Sequence, residues 1–549
     1  MSLPTTPMFR DAGPRTPLNL RDIERDNLDQ QIAELEKTIQ ALKAKRNQLI
    51  PVSSLPLEVL TKIFFLVRSQ AQEYEWIIVT HVSHYWRAVA LGAHALWTNI
   101  IHRTFYRPIS VPMTVLQRSG MCQLDVEIDH SDIGPQSFFL LSTILGQLSR
   151  IRTLHVRLDN DSDPYSVNSP DLMNIVTLLR NPAPVLEEFH FTGNIFTPCE
   201  STPPSGRPEC YNNLPWFNRV SPMLRSLVLH YPPSDLTALH YQNLTHLELQ
   251  GLDDPDEALS RMSFSTLLGL LSGMNALETL TLDYAFSFGP APPQLAGGHR
   301  VSLESLSSST LTLPARDLIH FLSAVSVPST SRNTIITSLL ENQPEFLSAL
   351  IGYFRDGMTP ISAIECTLKG DVLNLELWAL FGGQTEKYLS LHIPQMNISF
   401  SGFDALPLSQ VRTLYMANES KTRSLPDPQE VFGWCLPLVH LRDLTLASVF
   451  TGHFFKFMNT HIALFPALER LVVYGERNGS GQSFTWLVGT LHDFLQRRVG
   501  DPLCSQLKLL ELVNLRYDSL EAVLRSGGLS LDIFRPLVLA MKVGDRDAW

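Results

Sequence analysis

Between residues 21 and 49 the apolar positions fall at alternating four- and three-residue steps: Leu28, Ile32, Leu35, Ile39, Leu42 and then Leu49, with Arg46 interrupting the run. That spacing predicts one long helix carrying an apolar stripe. Isoleucine at one seam position and leucine at the other is the combination that favours a parallel two-stranded coiled coil. Gln31 and Thr38, however, stand where Glu–Lys pairs would reinforce such a coil. A single helix folded back on its own neighbour fits the same stripe. Pro51 ends the helix, because proline lacks the amide donor and clashes with the preceding turn.

The next segment, SLPLEVLTKIFFLV (residues 54–67), has only Glu58, Thr61 and Lys62 as polar positions between Leu55 and Val67. Pro56 suits the first position of a helix, and Glu58 falls near its positive dipole end. Leu60, Ile63, Phe64 and Val67 cover one side, while Leu57, Phe65 and Leu66 cover much of the rest. A second helical block, residues 76–100, repeats Trp76, Val79, Val82, Trp86 and Val89 at three- and four-residue spacing. A unit of about 50 residues is too small to hide two faces of one helix by itself. Its surplus apolar surface is therefore expected to meet either a partner or the rest of the chain.

From about residue 120 a different pattern recurs, a short helix followed by a strand of the form Leu-x-x-Leu-x-Leu. Copies run through Ile151, Leu154 and Val156; Leu224, Leu227 and Leu229; Leu244, Leu247, Leu249 and Leu252; and Leu277, Leu280 and Leu282. Others follow at Val411, Leu414 and Met416; Leu441, Leu444 and Leu446; Leu468, Leu471 and Val473; and in LKLLELVNL from Leu507. Apolar helical pieces such as TLLGLLSGMN, PEFLSALIGYF and TWLVGTLHDFLQRR lie between them. This is the leucine-rich-repeat signature, in which alternating strand residues enter a shared core and those between them line a common sheet surface. Copies 20 to 40 residues apart are looser than regular families show. A conventional α/β domain is the competing reading, but it does not expect so many like strands without a phosphate-binding turn. Residues 197–216 and 287–300 are rich in Pro and Gly and predict surface loops, and SVPSTSRN (326–333) is expected to interrupt a helical segment.

Composition narrows the class. Of the 549 residues, 44% are hydrophobic and 18% charged, which is ordinary for a folded protein. The net charge of −11 argues against nucleic acid or an anionic membrane as partner. No apolar run reaches the ~18 residues of a membrane span, and the first residues lack a signal-peptide core. An intracellular protein, in the cytoplasm and/or nucleus, is expected. The six cysteines are scattered without zinc-ligand spacing.

Candidate chemistry is sparse. No nucleophile elbow, P-loop or HExxH is present. His81 and His84 lack a third ligand nearby, the acidic run at 251–260 lacks the periodicity of a calcium loop, and Glu511 and Asp518 have no catalytic companion. The expectation is a chain that is not an enzyme and has no metal or cofactor.

Residues 51–101 resemble an F-box, whose pattern is Leu-Pro-x-Glu, an Ile-Phe a few residues on, Val-Cys-x-x-Trp-Arg and a terminal Leu-Trp. Here these are Leu55-Pro56-Leu57-Glu58, Ile63-Phe64, Val82-Ser83-His84-Tyr85-Trp86-Arg87 and Leu96-Trp97, with Ser83 in place of the common cysteine. The heptad helix just before it is similar in layout to a set of mushroom-type fungal F-box proteins. The resemblance implies a Skp-type adaptor as partner and, through it, a cullin ubiquitin ligase. It places the adaptor-binding surface at Leu55, Pro56, Leu57, Val59, Leu60, Ile63 and Phe64, with Val82 and Trp86; some of these must instead form the unit's own core.

The expected organisation is a flexible tail (1–20), a heptad helix (21–50), the F-box (51–101) and a leucine-rich-repeat-like domain (102–549). The expected fold is an α+β or α/β solenoid, an irregular array with a parallel sheet backed by helices. The expected function is recruitment of a target protein to the ligase, with Arg225, Ser226, Val228, Thr245, His246 and Glu248 among residues lining a concave face. Alternatives are a scaffold without ubiquitin transfer, or an α/β enzyme with a dispersed site. Self-association through residues 28–49 is a separate expectation.

Overall fold

The structure is a computed structural model that describes residues 20–103, 109–129, 135–157, 177–192, 216–230, 236, 242–251, 262–287, 300–337, 343–354, 356–369, 372–394, 403–418, 432–448, 450–461, 464–474, 481–513 and 531–544. The chain divides into two compact units: Met1–Ile101 with Ser110–Leu124, and His102–Ile109 with Asp125–Trp549.

In the first unit, α1 (Leu20–Gln48) is an unbroken helix of 29 residues. Asp22 lies in its first turn and Lys45 and Arg46 in its last, complementing the helix dipole. Leu28, Ile32, Leu35, Ile39 and Leu42 are all exposed, none of them below 49%. Among the described residues nothing covers the seam.

Helix α2 (Leu57–Gln70) follows Pro56, which caps the helix rather than opening it, one residue earlier than expected. The Leu60 amide donates to the Pro56 carbonyl at 3.0 Å, and Glu58 occupies the first turn. The predicted second helical block is broken. It forms a 3-10 turn at Glu75–His81, then α3 (His84–Gly92), then another 3-10 turn at His94–Trp97. The break falls at Ser83, which is extended and whose Oγ accepts the Trp86 amide at 3.1 Å. A serine side chain offers the backbone this alternative to helix continuation, so it starts helices better than it sits inside them.

Leu60, Phe64, Trp76, Val79, Val89, Leu96 and Trp97 form the core. Phe64 tilts against Trp86 at 5.2 Å and Trp76 meets Trp97 edge-on at 4.8 Å. The Trp97 indole N–H donates to the Ala90 carbonyl at 2.8 Å. The unit also includes α4 (Ser110–Arg118), beyond the boundary read at residue 101. The Arg118 guanidinium lies 4.4 Å from the Trp97 ring, and the Arg118 carbonyl is 2.7 Å from His94 Nδ1.

Strand β1 (Asn99–Arg103) spans the division between the units. The second unit is a mostly parallel sheet backed by helices. Its first run comprises β2 (Leu124–Asp129), β3 (Ile151–Arg157), β4 (Glu188–Thr192), β5 (Ser226–His230), β6 (His246–Gln250), β7 (Met262–Ser263), β8 (Thr279–Asp283) and β9 (Phe286–Ser287). Then come β10 (Val301–Ser302), β11 (Ser308–Leu313), β12 (Val325–Ser326) and β13 (Arg332–Thr337). From β3 the spatial order is β4, β5, β6, β8, β11 and β13, parallel throughout; β7 pairs with β9 and β10 with β12 outside this ladder. Helices at Phe264–Leu271, Ala315–Ala324 and Gln343–Tyr353 lie between strands.

The inward residues of every predicted copy are buried where they are described, so the Leu-x-x-Leu-x-Leu reading holds. Just before each strand, an amide bonds the preceding repeat: Glu187 to Arg152, Arg225 to Glu187, Thr245 to Arg225 and Glu278 to Thr245, each at 2.8 Å. Several strands carry the ladder without the leucine spelling. In β4, Phe189 and Phe191 take the inward places; β11 and β13 place Ser309 and Asn333 there. The Ser309 hydroxyl donates to Asn333 Oδ1 at 2.7 Å, and Asn333 Nδ2 donates to the Ser331 carbonyl at 2.9 Å. SVPSTSRN thus does not interrupt a helix. It links the helix ending at Ala324 to β13 and supplies partners for a buried asparagine.

The array is not parallel throughout. β14 (Ile361–Lys369), β15 (Val372–Phe381) and β16 (Gln384–Pro394) form an antiparallel meander, with β16 beside β13 and β14 beside the next repeat. The β15–β16 turn uses Gly382 and Gly383 at φ +56° and +87°, the left-handed region a two-residue hairpin turn requires. The parallel ladder then resumes through β17 (Thr413–Asn418), β18 (Asp443–Ser448), β19 (Arg470–Tyr474), β20 (Leu507–Val513) and β21 (Val538–Gly544). Helices Phe450–Thr460 and Gly481–Gly500 accompany it. The tail, most of the two Pro/Gly-rich stretches, most of the acidic run at 251–260 and Asp518 lie outside the described residues.

Candidate binding surfaces

Helix α2 answers the question its sequence raises by using two faces differently. Leu60 and Phe64, one helical turn apart, are fully buried in the unit's own core. They are thereby removed from the expected adaptor surface, since a side chain sealed beneath its own helix has no area left to offer. Val59, Ile63 and Leu66 follow one another at four and three residues and form a second stripe. Val59 and Leu66 are exposed, Leu66 at 63%, and Ile63 is half-buried. Leu57 (53%), Phe65, Ile78 (66%) and Val82 (54%) are exposed in the same unit. Pro56 is exposed, and Leu55 and Trp86 are half-buried. The Leu55 carbonyl accepts from the Tyr85 hydroxyl at 3.1 Å, which ties the start of α2 to α3.

In the second unit the outward side of the sheet is polar. One row runs in register through His155, His190, Val228, Glu248, Thr281, Thr310 and Thr334. Ser226, Val228, His246 and Glu248 lie on this side as expected; Arg225 and Thr245 sit one residue ahead of their strands. At the far end Glu511 accepts from Arg470 at 3.0 Å and lies 3.5 Å from Lys542 Nζ. Arg470, Glu511 and Lys542 form an ion network across β19, β20 and β21.

The row starts with a histidine pair that the sequence did not announce. The His155 and His190 rings stack with centroids 3.9 Å apart and planes 3° from parallel. His155 Nε2 lies 3.8 Å from Glu188 Oε2, beyond hydrogen-bond reach, and is buried without a hydrogen-bond partner. His190 Nε2 is 3.5 Å from Ser226 Oγ, and His246 Nδ1 is hydrogen-bonded by Thr279 Oγ1. Burial first, then the neighbouring His155, His246 and His230, pushes the His190 pKa down to about 4, so that ring is neutral at neutral pH. Thirty-five residues separate His155 from His190, and only strand register brings them together. His81 and His84 are both exposed, and among the described residues neither joins a cluster of ligand-type side chains.

No protein-family model matches the chain, and no curated protein matches it. Among solved structures it is similar to the "Crystal structure of TLR13-ssRNA13 complex", at 14% identity and a TM-score of 0.26, over 78% of this chain and 50% of that one. The chain thus spans about half the length of that structure. The leucine-rich-repeat-like fold rests on the parallel ladder and its buried leucines. Among the described residues no helix is long and apolar enough to cross a membrane.

Proposed function

We propose that this chain is the substrate-recruiting F-box subunit of a Skp-cullin type ubiquitin ligase. The observation that carries the reading is the second stripe of α2: Val59, Ile63 and Leu66, with Leu57 and Phe65, remain apolar and mostly exposed while Leu60 and Phe64 complete the core. Burying one such side chain is worth about 1.5–3 kcal/mol, so a helix that leaves several in water is built for a partner. The partner of this reading is the Skp-type adaptor, which meets Leu57, Val59, Ile63 and Leu66, with Leu55, Pro56, Val82 and Trp86 at the margins.

The mechanism is proximity. The first unit anchors the chain to the adaptor and cullin, and the outward face of the sheet holds a target protein near a charged conjugating enzyme supplied by other subunits. The mixed row of His, Val, Glu and Thr suits a protein or peptide surface. In this role no residue of the chain performs covalent chemistry.

The test is co-purification of the full chain with the host's Skp-type protein and cullin. Adaptor and cullin together support the ligase reading, adaptor without cullin supports the scaffold alternative, and neither overturns both.

Self-association through α1 completes the proposal. Its seam residues are exposed along the helix, and an isolated helix of this kind gains most of its stability from packing. The occupant proposed is α1 of a second copy, with Ile32 and Ile39 at one seam position and Leu28, Leu35, Leu42 and Leu49 at the other. Arg46 on the seam weakens the pairing. A chain beginning near residue 51 is expected to be monomeric; an unchanged oligomeric mass sinks this part.

A further inference from the structure

The polar face of the repeat domain holds one group of side chains whose arrangement neither adaptor binding nor the repeat pattern explains. The parallel register of β3 and β4 sets His155 directly beside His190, and the two-residue strand period brings Glu188 to the same side as His190. One ligand atom from each of the three lies within 4.8 Å of the other two. We propose that His155, Glu188 and His190 form a binding site for a divalent transition cation of the zinc class.

Five features bear on this. The backbone is fixed, because all three residues lie inside a continuous ladder and Thr153↔Glu188 and His155↔His190 are register partners. Zinc holds nitrogen and oxygen donors at about 2.0–2.2 Å, and because the two rings stack face to face here, binding requires them to turn about their side-chain torsions so that their in-plane lone pairs converge. The donor set, two imidazoles and one carboxylate, suits zinc and its neighbours; calcium and magnesium prefer oxygen throughout. His155 Nε2 is buried without a hydrogen-bond partner and stops 3.8 Å short of the Glu188 carboxylate, and a cation between them satisfies both. Finally, the Ser226 hydroxyl, 3.5 Å from His190 Nε2, stands where an outer partner orients a ligating ring.

Three protein ligands leave one position of a four-coordinate zinc open. In the isolated chain water fills that position, and a donor side chain of a docked protein can replace it. The inference is independent of the adaptor reading, because the site lies wholly in the second unit.

The experiment is calorimetric titration of the metal-free full chain with zinc chloride. Wild type is compared with the double variant His155→Gln plus His190→Gln, with Glu188→Gln, and with a control carrying His81→Gln plus His84→Gln. The expected result is one zinc per chain at this site, lost in the double variant and kept in the control. Glu188→Gln keeps both rings and a half-exposed side chain, and is expected to weaken binding by about tenfold or more. Cobalt added to the wild type should give the visible absorption of a nitrogen- and oxygen-bound ion, absent from the double variant. Should the double variant fail to fold, Glu188→Gln and the control decide the question. No zinc uptake by wild type overturns the proposal, as does uptake that is undiminished in the His155/His190 and Glu188 variants.

Discussion

Leu60 and Leu66 lie six residues apart on α2, and the structure assigns them opposite work. Leu60 is fully buried and Leu66 is 63% exposed. Truncating a leucine of the first kind removes its transfer free energy and leaves a cavity, so Leu60→Ala should cost about 2–5 kcal/mol of unfolding free energy. In a unit of about 100 residues each kcal/mol shifts the melting temperature by about 4–8 °C, so the first transition should fall by at least about 8 °C. Leu66→Asp changes a solvated position and should alter stability by no more than about 0.5 kcal/mol. It does, however, place a carboxylate where the adaptor's apolar surface would close over it. Loss of an interface anchor costs about 2 kcal/mol or more, which is about thirtyfold in Kd. The assay is thermal unfolding of the full chain together with calorimetric binding of the host's Skp-type protein. Leu60→Ala should lower stability, and Leu66→Asp should abolish or weaken binding at unchanged stability. If Leu66→Asp binds as wild type does, the stripe is not the adaptor surface. If it instead unfolds the unit as Leu60→Ala does, the division of α2 into core and partner faces is wrong.

Other outcomes follow from the same structure. Ser83→Ala removes the cap on the Trp86 amide and should cost about 1 kcal/mol in denaturant unfolding, with Ser83→Asp restoring most of it. Arg46→Leu should raise, and Ile39→Asp abolish, self-association in sedimentation of the full chain, since one removes a charge from the α1 seam and the other adds one. Gly383→Ala should destabilise the second unit by about 1 kcal/mol or more, although no atom lies within 4 Å of an added Cβ, because φ +87° is a conformation alanine resists. Burial alone would raise the Glu511 carboxyl, but the Arg470 hydrogen bond and charge, with Lys542, hold it below the usual range. Its stabilising effect is then complete above the unfolded value near pH 4.3 and lost as pH falls through the folded one, so Glu511→Gln should flatten the acid side of the stability–pH curve.

The strands spelled with leucine were readable because a strand's inward residues recur every second position, and each repeat buries the same places. Where that spelling changes, the strand still forms. Phe189 and Phe191 fill the inward places of β4, and Ser309 and Asn333 hold theirs because Ser309 donates to Asn333 Oδ1 while the Asn333 amide donates to Ser331. The meander from β14 to β16 did leave a signal, Gly382-Gly383 between two alternating runs, which is a hairpin signature and not part of the repeat's leucine spacing.

The sequence by itself determined the long helix, the small helical unit, the helix-and-strand repeat and the identity of most inward residues. All of these follow from local periodicity and from the cost of wetting apolar side chains. Only the tertiary structure decided that Leu60 and Phe64 go inward while Leu57 and Leu66 stay out, because a pattern apolar on two sides does not say which side the core takes. It alone decided that Ser83 starts a helix rather than sitting within one. It alone set His155 against His190 with Glu188 alongside, since residues this far apart in the chain become neighbours only through the register of parallel strands.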